Sequence, residues 1–364
     1  MKHIMLIFGT RPEAIKMCPI IKELKKRNNV KITVCVTGQH KEMLDQVLNN
    51  FDIIPDYNLN IMEKQQTILN ITTNVIAKVN EVLTLEEPDI VLVHGDTTTT
   101  FAAALACYYR QIKVAHIEAG LRTYNIYSPY PEEFNRQAVG IIANYHFSPT
   151  EKSKQNLIKE GKDESSIYVT GNTVIDALKT TVVKDYNHPE LKWCGNSRLL
   201  LLTSHRRENI GEPMREIFMA IRLILNEYKN VKVIYPIHKN PLIRDIANEI
   251  FEGVENIHII EALDVADFHN ILARSYIVLT DSGGVQEESA YLGVPTLVIR
   301  ETTERLEGIE TGVLRLVGTE KEKIYENCKV LLDDDKLHEQ MSKSRNPYGS
   351  GNASEKIVEI LVNN

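Results

Sequence analysis

Ten short runs of aliphatic and β-branched residues recur along the chain, each separated from the next by a longer segment, most of them helical in spacing. They are Ile4–Phe8, Ile32–Val36, Ile90–Val93, Val114–Ile117 and Tyr145–Ser148, then Leu199–Thr203, Val231–Tyr235, His258–Ile260, Ile277–Thr280 and Thr296–Ile299. Parallel strands need a long crossover, and a helix is the usual one, so this alternation predicts an α/β chain with parallel, doubly wound, Rossmann-like sheets. A length of 364 residues is enough for two such domains. The polar stretch Lys184–Asn196, with His188, Pro189 and Gly195, follows the helical Val174–Val183 segment and reads as the linker. The expected domains are therefore 1–183 and 184–364. A last helix, from about Ala353 to Leu361, follows Asn346-Pro347-Tyr348-Gly349 and has the option of packing back on the first domain.

Composition narrows the function. A formal charge of −7 argues against a general nucleic-acid or membrane-surface binder, so any basic site must be local. The five cysteines, Cys18, Cys35, Cys107, Cys194 and Cys328, show no CxxC spacing, so neither a disulfide framework nor a zinc site is expected. The chain enters a strand pattern at once, and no apolar run approaches the roughly 20 residues of a membrane span. A soluble, cytoplasmic protein is the expectation.

In doubly wound sheets ligands bind beyond the carboxyl ends of the strands, and the residues there carry chemistry. After the first strand, Gly9-Thr10-Arg11-Pro12-Glu13-Ala14-Ile15-Lys16 leads into a helical pattern. A helix N-terminus offers unpaired N–H groups and about half a positive charge, and Arg11 and Lys16 add two cations, a layout that favours phosphate. His94-Gly95-Asp96-Thr97 follows the third run, with Asp96 placed as a helix cap or a cleft carboxylate. Glu118 closes the next strand, where burial would need a partner such as Arg122. Further on, Pro131 precedes a helix with Glu132 and Arg136 one turn apart. In the second half, Ser204-His205-Arg206-Arg207-Glu208-Asn209 follows a fully apolar strand and includes a histidine able to titrate near neutrality. His238 lies in the loop after the next strand. Asp281-Ser282-Gly283-Gly284 then opens a second Gly-rich turn, with Glu288 one turn inside the helix, placed to accept both hydroxyls of a ribose. Two anion-binding turns, one per domain, fit a nucleoside diphosphate in an interdomain cleft.

Taken in order, the segments GTRPEAIK, VLVHGDTTTT, HIEAGLRT, YSPYPEEFNRQ, VTGNTVIDAL, HRRENIGEPM, LTDSGGVQEE and NPYGSGNAS resemble those of the non-hydrolysing UDP-N-acetylglucosamine 2-epimerases over nearly the whole chain. The resemblance implies a two-domain, GT-B-like fold, a homodimer, and interconversion of UDP-GlcNAc and UDP-ManNAc for cell-surface polysaccharide. It places Arg11, Lys16, Arg207, His238, Ser282, Gly283, Gly284 and Glu288 at the UDP, and Asp96, Glu118, Glu132, Arg136 and His205 around the sugar. No metal, nicotinamide or flavin motif is present, and the implied reaction needs no cofactor. Leu306 departs from the family pattern, which usually has proline there. Regulated bacterial members hold a second UDP-GlcNAc beside the active site. The matching positions are Gln39, Glu42 and Gln65, with Glu132 and Arg206 nearby; an acid and an amide replacing two usual contacts predict weak or absent activation. The alternatives are another UDP-2-acetamido sugar, a hydrolysing epimerase, a GT-B glycosyltransferase and a non-catalytic UDP-sugar sensor.

Overall fold

The computed structural model describes residues 1–38, 41–62 and 66–363, with the side chains of 41–43 outside the description. The chain divides into two compact units, Met1–Lys179 with Tyr348–Asn364, and Thr180–Pro347. In the first, strands and helices alternate as β1 (Lys2–Phe8), α1 (Arg11–Leu24), β2 (Val30–Val36), α2 (Lys41–Asn50), β3 (Tyr57–Asn58), α3 (Ile68–Glu86), β4 (Ile90–His94), α4 (Thr98–Tyr109), β5 (Lys113–Ile117), α5 (Glu132–Ile142), β6 (Tyr145–Ser148), α6 (Glu151–Lys159), β7 (Ile167–Val169) and α7 (Thr173–Thr181). The strand order is β3-β2-β1-β4-β5-β6-β7, and every pairing is parallel. Helices cover the sheet, so its central strands are buried along their length, which is why they read as unbroken apolar runs.

The second unit runs α8 (Pro189–Cys194), β8 (Arg198–Thr203), α9 (Glu212–Glu227), β9 (Val231–Pro236), α10 (Pro241–Phe251), β10 (Ile257–Ile260), α11 (Val265–Leu272), β11 (Ile277–Thr280), α12 (Gly283–Leu292), β12 (Thr296–Val298), α13 (Leu306–Glu310), β13 (Leu314–Leu316), α14 (Lys321–Asp333) and α15 (Asp335–Ser342). Its sheet order is β10-β9-β8-β11-β12-β13, again all parallel. Both sheets are α/β and doubly wound, as the alternation of runs predicts. Among the described residues no helix is long and apolar enough to cross a membrane, and all five cysteines are buried and free.

One feature differs from the expected organisation, and one option it left open is realised. The polar stretch 184–196 is not a bare connector: His188 caps α8, and that helix docks on the second sheet through Trp193, stacked on His258 at 3.5 Å, and Glu190, which meets His258 Nδ1 at 2.6 Å. The chain then returns, and α16 (Ala353–Asn363) belongs to the first unit, where it packs against α1. Asp176 caps it, accepting from the backbone N–H of Ala353 and Ser354 at 3.2 and 2.9 Å.

Candidate functional site

In the first unit the strand order reverses between β1 and β4, and the residues past the ends of β1, β4 and β5 meet there. Thr10 caps α1, and Glu13 completes a capping box. Glu13 Oε2 accepts from the backbone N–H of Gly9 and Thr10 at 3.1 and 2.7 Å, while Oε1 accepts from the hydroxyls of Thr97 and Thr100 at 2.9 and 3.2 Å. Burial pushes this carboxyl up, against the hydrogen bonds that favour its ionised form. The turn predicted to present its N–H groups to phosphate is thus engaged by the protein's own carboxylate. Gly9 is needed for that fit, because a Cβ there would strike the hydroxyls of Thr37 and Thr99. Arg11 opens the helix.

Lys16 lies one turn further in, is buried, and bonds Glu118 Oε1. Asn172 Nδ2 donates to the same oxygen at 2.8 Å. Glu118 leaves β5 with φ 64°, the left-handed region that non-glycine residues occupy only when their surroundings impose it. Its Oε2 faces His94 Nε2 at 3.9 Å. Arg122, the partner anticipated from sequence, instead makes two bonds to Glu160, at 2.7 and 2.9 Å. Burial drives His94 down to about 4 despite the pull of Glu118, and drives His116 down to about 3, so both rings are neutral. His116 Nε2 holds the carbonyl of Gly95 at 2.7 Å, fixing the turn that carries Asp96.

Asp96 does not cap α4; Thr97 does. The Asp96 carboxylate instead takes Nε and Nη2 of Arg136 on one oxygen, both at 2.7 Å. Arg136 also reaches Glu133 Oε2 at 2.9 Å. Glu133 is fully buried and accepts from the N–H groups of Thr123 and Tyr124 at 3.0 Å each, tying that loop to α5. Glu132, beside it, has a buried Oε2 with no hydrogen-bond partner among the described residues.

In the second unit the reversal lies between β8 and β11. Asp281, fully buried, gathers the loop after β8. Its Oδ2 accepts from Ser204 Oγ at 3.1 Å, from the N–H of His205 and Arg206 at 2.8 and 2.9 Å, and from Asn209 Nδ2 at 3.1 Å. The His205 ring stays exposed, with Nδ1 3.4 Å from Asp281 Oδ1 and its face against His238, centroids 5.9 Å apart. Burial and the neighbouring His205 and Arg244 lower the His238 pKa. Arg207 opens the short turn Arg207–Asn209.

The N-terminus of α12 is built differently from that of α1. Ser282 is its N-cap residue but makes no side-chain capping bond among the described residues. Gly283 is needed because Arg305 lies against it: a Cβ would sit 2.9 Å from the guanidinium carbon. Arg305 is held by Glu287 at 3.0 Å and by Glu304. Glu288 is buried with Oε1 3.7 Å from His269 Nε2, and its Oε2 has no hydrogen-bond partner among the described residues. A buried, unsatisfied carboxylate oxygen beside an open helix N-terminus is suited to a ligand with hydroxyls next to an anion.

The structure therefore gathers Lys16, Asp96, Glu118, Glu132 and Arg136 in the first unit, and His205, Arg206, Arg207, His238, Ser282, Gly283, Gly284 and Glu288 at the strand ends of the second. Gln39 and Gln65, expected at an activator pocket, lie outside the described residues, as does the side chain of Glu42. Glu13, Glu133, Asn172, His94 and Asp281 were not singled out from sequence. The available signal was position, since His94 and Asp281 stand at strand ends. No cluster of three or more metal-binding side chains exists among the described residues.

Comparison with known proteins identifies the family. The family described as UDP-N-acetylglucosamine 2-epimerase matches residues 22–362. The UDP-N-acetylglucosamine 2-epimerase of Bacillus subtilis is 55% identical over 359 residues, 99% of this chain and 94% of that one. The crystal structure of UDP-GlcNAc 2-epimerase from Neisseria meningitidis bound to UDP-GlcNAc is 47% identical with a TM-score of 0.95, covering 100% of both chains. A likeness in fold alone extends to the glycosyltransferase of kitacinnamycin, 11% identical with a TM-score of 0.68 over 100% of this chain and 98% of that one. With a family match across most of its length and relatives at about half identity, the chain belongs to the UDP-N-acetylglucosamine 2-epimerase family.

Proposed function

We propose that the protein interconverts UDP-N-acetylglucosamine and UDP-N-acetylmannosamine by eliminating UDP to a 2-acetamidoglucal and adding it back. The observation that carries this reading is Glu118: a buried carboxylate with one oxygen held by Lys16 and Asn172. Lys16 thereby serves the sugar chemistry. The hydrogen at C2 is not α to a carbonyl, and no ordinary carboxylate would remove it unaided. When the C1–O bond breaks with it, the C2–H electron pair forms the C1=C2 double bond, the C1–O pair leaves on UDP, and the proton passes to a side chain. Inversion requires acid–base groups on two faces of the ring, and Asp96, Glu118, Glu132 and His205 supply them, with Arg136 holding Asp96. The Ser282-Gly283-Gly284 turn, Arg11, Arg207 and His238 stabilise the departing diphosphate, and Glu288 accepts the ribose hydroxyls.

The relative from Neisseria meningitidis was solved with UDP-GlcNAc bound, which supports the substrate class. The protein works in the cytosol as a homodimer, without a cofactor, and supplies ManNAc units for cell-surface polysaccharide. Proton NMR of UDP-GlcNAc incubated with the protein in deuterium oxide tests the reading. The expected product is UDP-ManNAc with deuterium at C2. Free ManNAc would show hydrolysis, and unlabelled UDP-ManNAc would demand internal return of the hydrogen.

A further inference from the structure

His94 is buried at the end of β4, and its Nε2 has no hydrogen-bond partner among the described residues. Such an atom requires an explanation, because a buried ring nitrogen without a partner loses its hydration for nothing. It stands 3.9 Å from Glu118 Oε2, beyond hydrogen-bond range. With the ring hydrogen on Nδ1, Nε2 presents a lone pair toward that oxygen. Across the carboxyl, Lys16 and Asn172 both donate to Oε1. The two oxygens of Glu118 therefore meet opposite chemistry: donors that favour a carboxylate on one side, an acceptor that favours a carboxylic acid on the other.

We propose that His94 is a positioning residue that holds the catalytic proton on Glu118 Oε2. The inference rests on the reading of Glu118 as an acid–base group. When Glu118 takes the C2 proton, the new O–H on Oε2 donates to His94 Nε2; when the proton returns to C2, the pair separates and Lys16 again stabilises the anion. The charge never passes to His94, and a ring whose pKa burial holds at about 4 suits that role. The other titratable groups facing this ring are Lys16 and Asp96, and His116 stands behind it on β5. Of these, Lys16 is bonded to Glu118, Asp96 is paired with Arg136, and neutral His116 is spent on the Gly95 carbonyl. None of them meets His94 Nε2 within hydrogen-bond distance, since that atom has no partner.

The test is the pH dependence of kcat/KM and of deuterium uptake at C2 in His94→Leu and His94→Gln, with Glu118→Gln in parallel. Losing the acceptor destabilises the protonated form of Glu118, so in His94→Leu the acidic limb should move to lower pH by roughly half to one unit, while His94→Gln, which keeps an acceptor, restores it. A limb that stays in place, or moves upward, overturns the proposal; a purely structural role would scale the rate at all pH values alike. If His94→Leu does not fold, nitrogen-15 NMR of the wild-type rings decides: Nε2 without a proton at neutral pH supports the proposal, and a protonated Nε2 refutes it. Should Glu118→Gln leave deuterium uptake intact, the acid–base reading itself falls. Should it abolish uptake while the His94 limb stays fixed, only this inference does.

Discussion

The turns after β1 and β11 look alike in sequence, each a glycine beside a hydroxyl residue leading into a helix with a glutamate inside it, yet they are built for opposite purposes. At α1 the glutamate folds back and accepts from the N–H groups of Gly9 and Thr10, and Thr10 in turn caps the helix. At α12 the glutamate lies five residues beyond Gly283 with Oε1 near Gly284; the N-cap Ser282 makes no side-chain capping bond, and its own N–H is taken by Thr280 Oγ1 at 3.0 Å. A helix N-terminus is an anion site only when its own chain does not fill it. The first unit spends its internal anion on rigidity and presents carboxylates. The second keeps its dipole for an incoming anion.

The largest effects should separate the two units cleanly. Glu118→Gln keeps the shape of the side chain but removes the base, and should lower turnover by about 10²–10⁴-fold with UDP affinity nearly unchanged. Glu288→Ala, by contrast, should weaken UDP binding by about 1.5–3 kcal/mol, because it removes a charged acceptor from ribose hydroxyls. Calorimetry with UDP and steady-state rates on both variants would break the comparison if Glu118→Gln lost UDP or Glu288→Ala kept it.

Acid should also find the first unit first. His94, His116 and His146 are buried there with pKa values pushed down to about 4, 3 and 4 from 6.5. Between 6.5 and those values the unfolded chain binds more protons than the folded one. Stability is therefore full above pH 6.5 and falls as pH drops toward 4, by several kcal/mol in rough total. Glu13 and Asp176, whose carboxyls burial raises, act in the opposite sense and offset part of the loss. His238 in the second unit is exposed and solvent screens its shift. Hydrogen exchange from pH 7 to 4 should show β4, β5 and β6 losing protection before β8 and β11; the reverse order would show that the histidines do not govern acid stability.

Glu13→Ala tests the closed turn directly. It leaves the N–H groups of Gly9 and Thr10 without their acceptor and takes one partner from the hydroxyls of Thr97 and Thr100, which keep each other and the His94 carbonyl, and should cost about 2–4 kcal/mol. The vacated N-terminus should then behave like that of α12, so that inorganic phosphate raises the melting temperature of the variant more than that of the wild type. Equal shifts in both would mean that the turn is not an anion site even when emptied.

The sequence carried the parallel sheets and most residues at their carboxyl ends, because buried strands leave unbroken apolar runs. It did not carry β3, β7 or β13, edge strands of two or three residues with no room for a periodic signal. Nor did it carry the partnerships that give the site its chemistry. Lys16 lies 102 positions from Glu118, and Asp281 lies 72 to 77 from the atoms it gathers, so only the fold decides which donor meets which carboxylate. A lysine at a helix start has the same local appearance whether it faces a ligand, a buried glutamate or both. The stretch 184–196 read as a linker because its contacts, to His258 and Lys232, are equally remote.

The smallest predicted effect concerns the support under the open turn. Arg305, whose guanidinium lies against Gly283, is the N-cap of α13, and Leu306 is the first residue of that helix where the family usually has proline. Leu306 is 43% exposed, so little apolar burial is lost on replacing it. Proline suits a first helical position, since the N–H it lacks has no partner within the helix, and it narrows the unfolded ensemble. Leu306→Pro should therefore stabilise the second unit by about 0.4–1 kcal/mol and leave UDP affinity unchanged, as read by denaturant midpoints and calorimetry. Arg305 has φ −99° and ψ 51°, outside the helical region that a following proline disfavours, so only its ψ must open further toward the extended range. A loss of stability together with weaker UDP binding would show that the position of Arg305 depends on Leu306, and that the open turn of α12 is held from behind by the very loop in which this chain departs from its family.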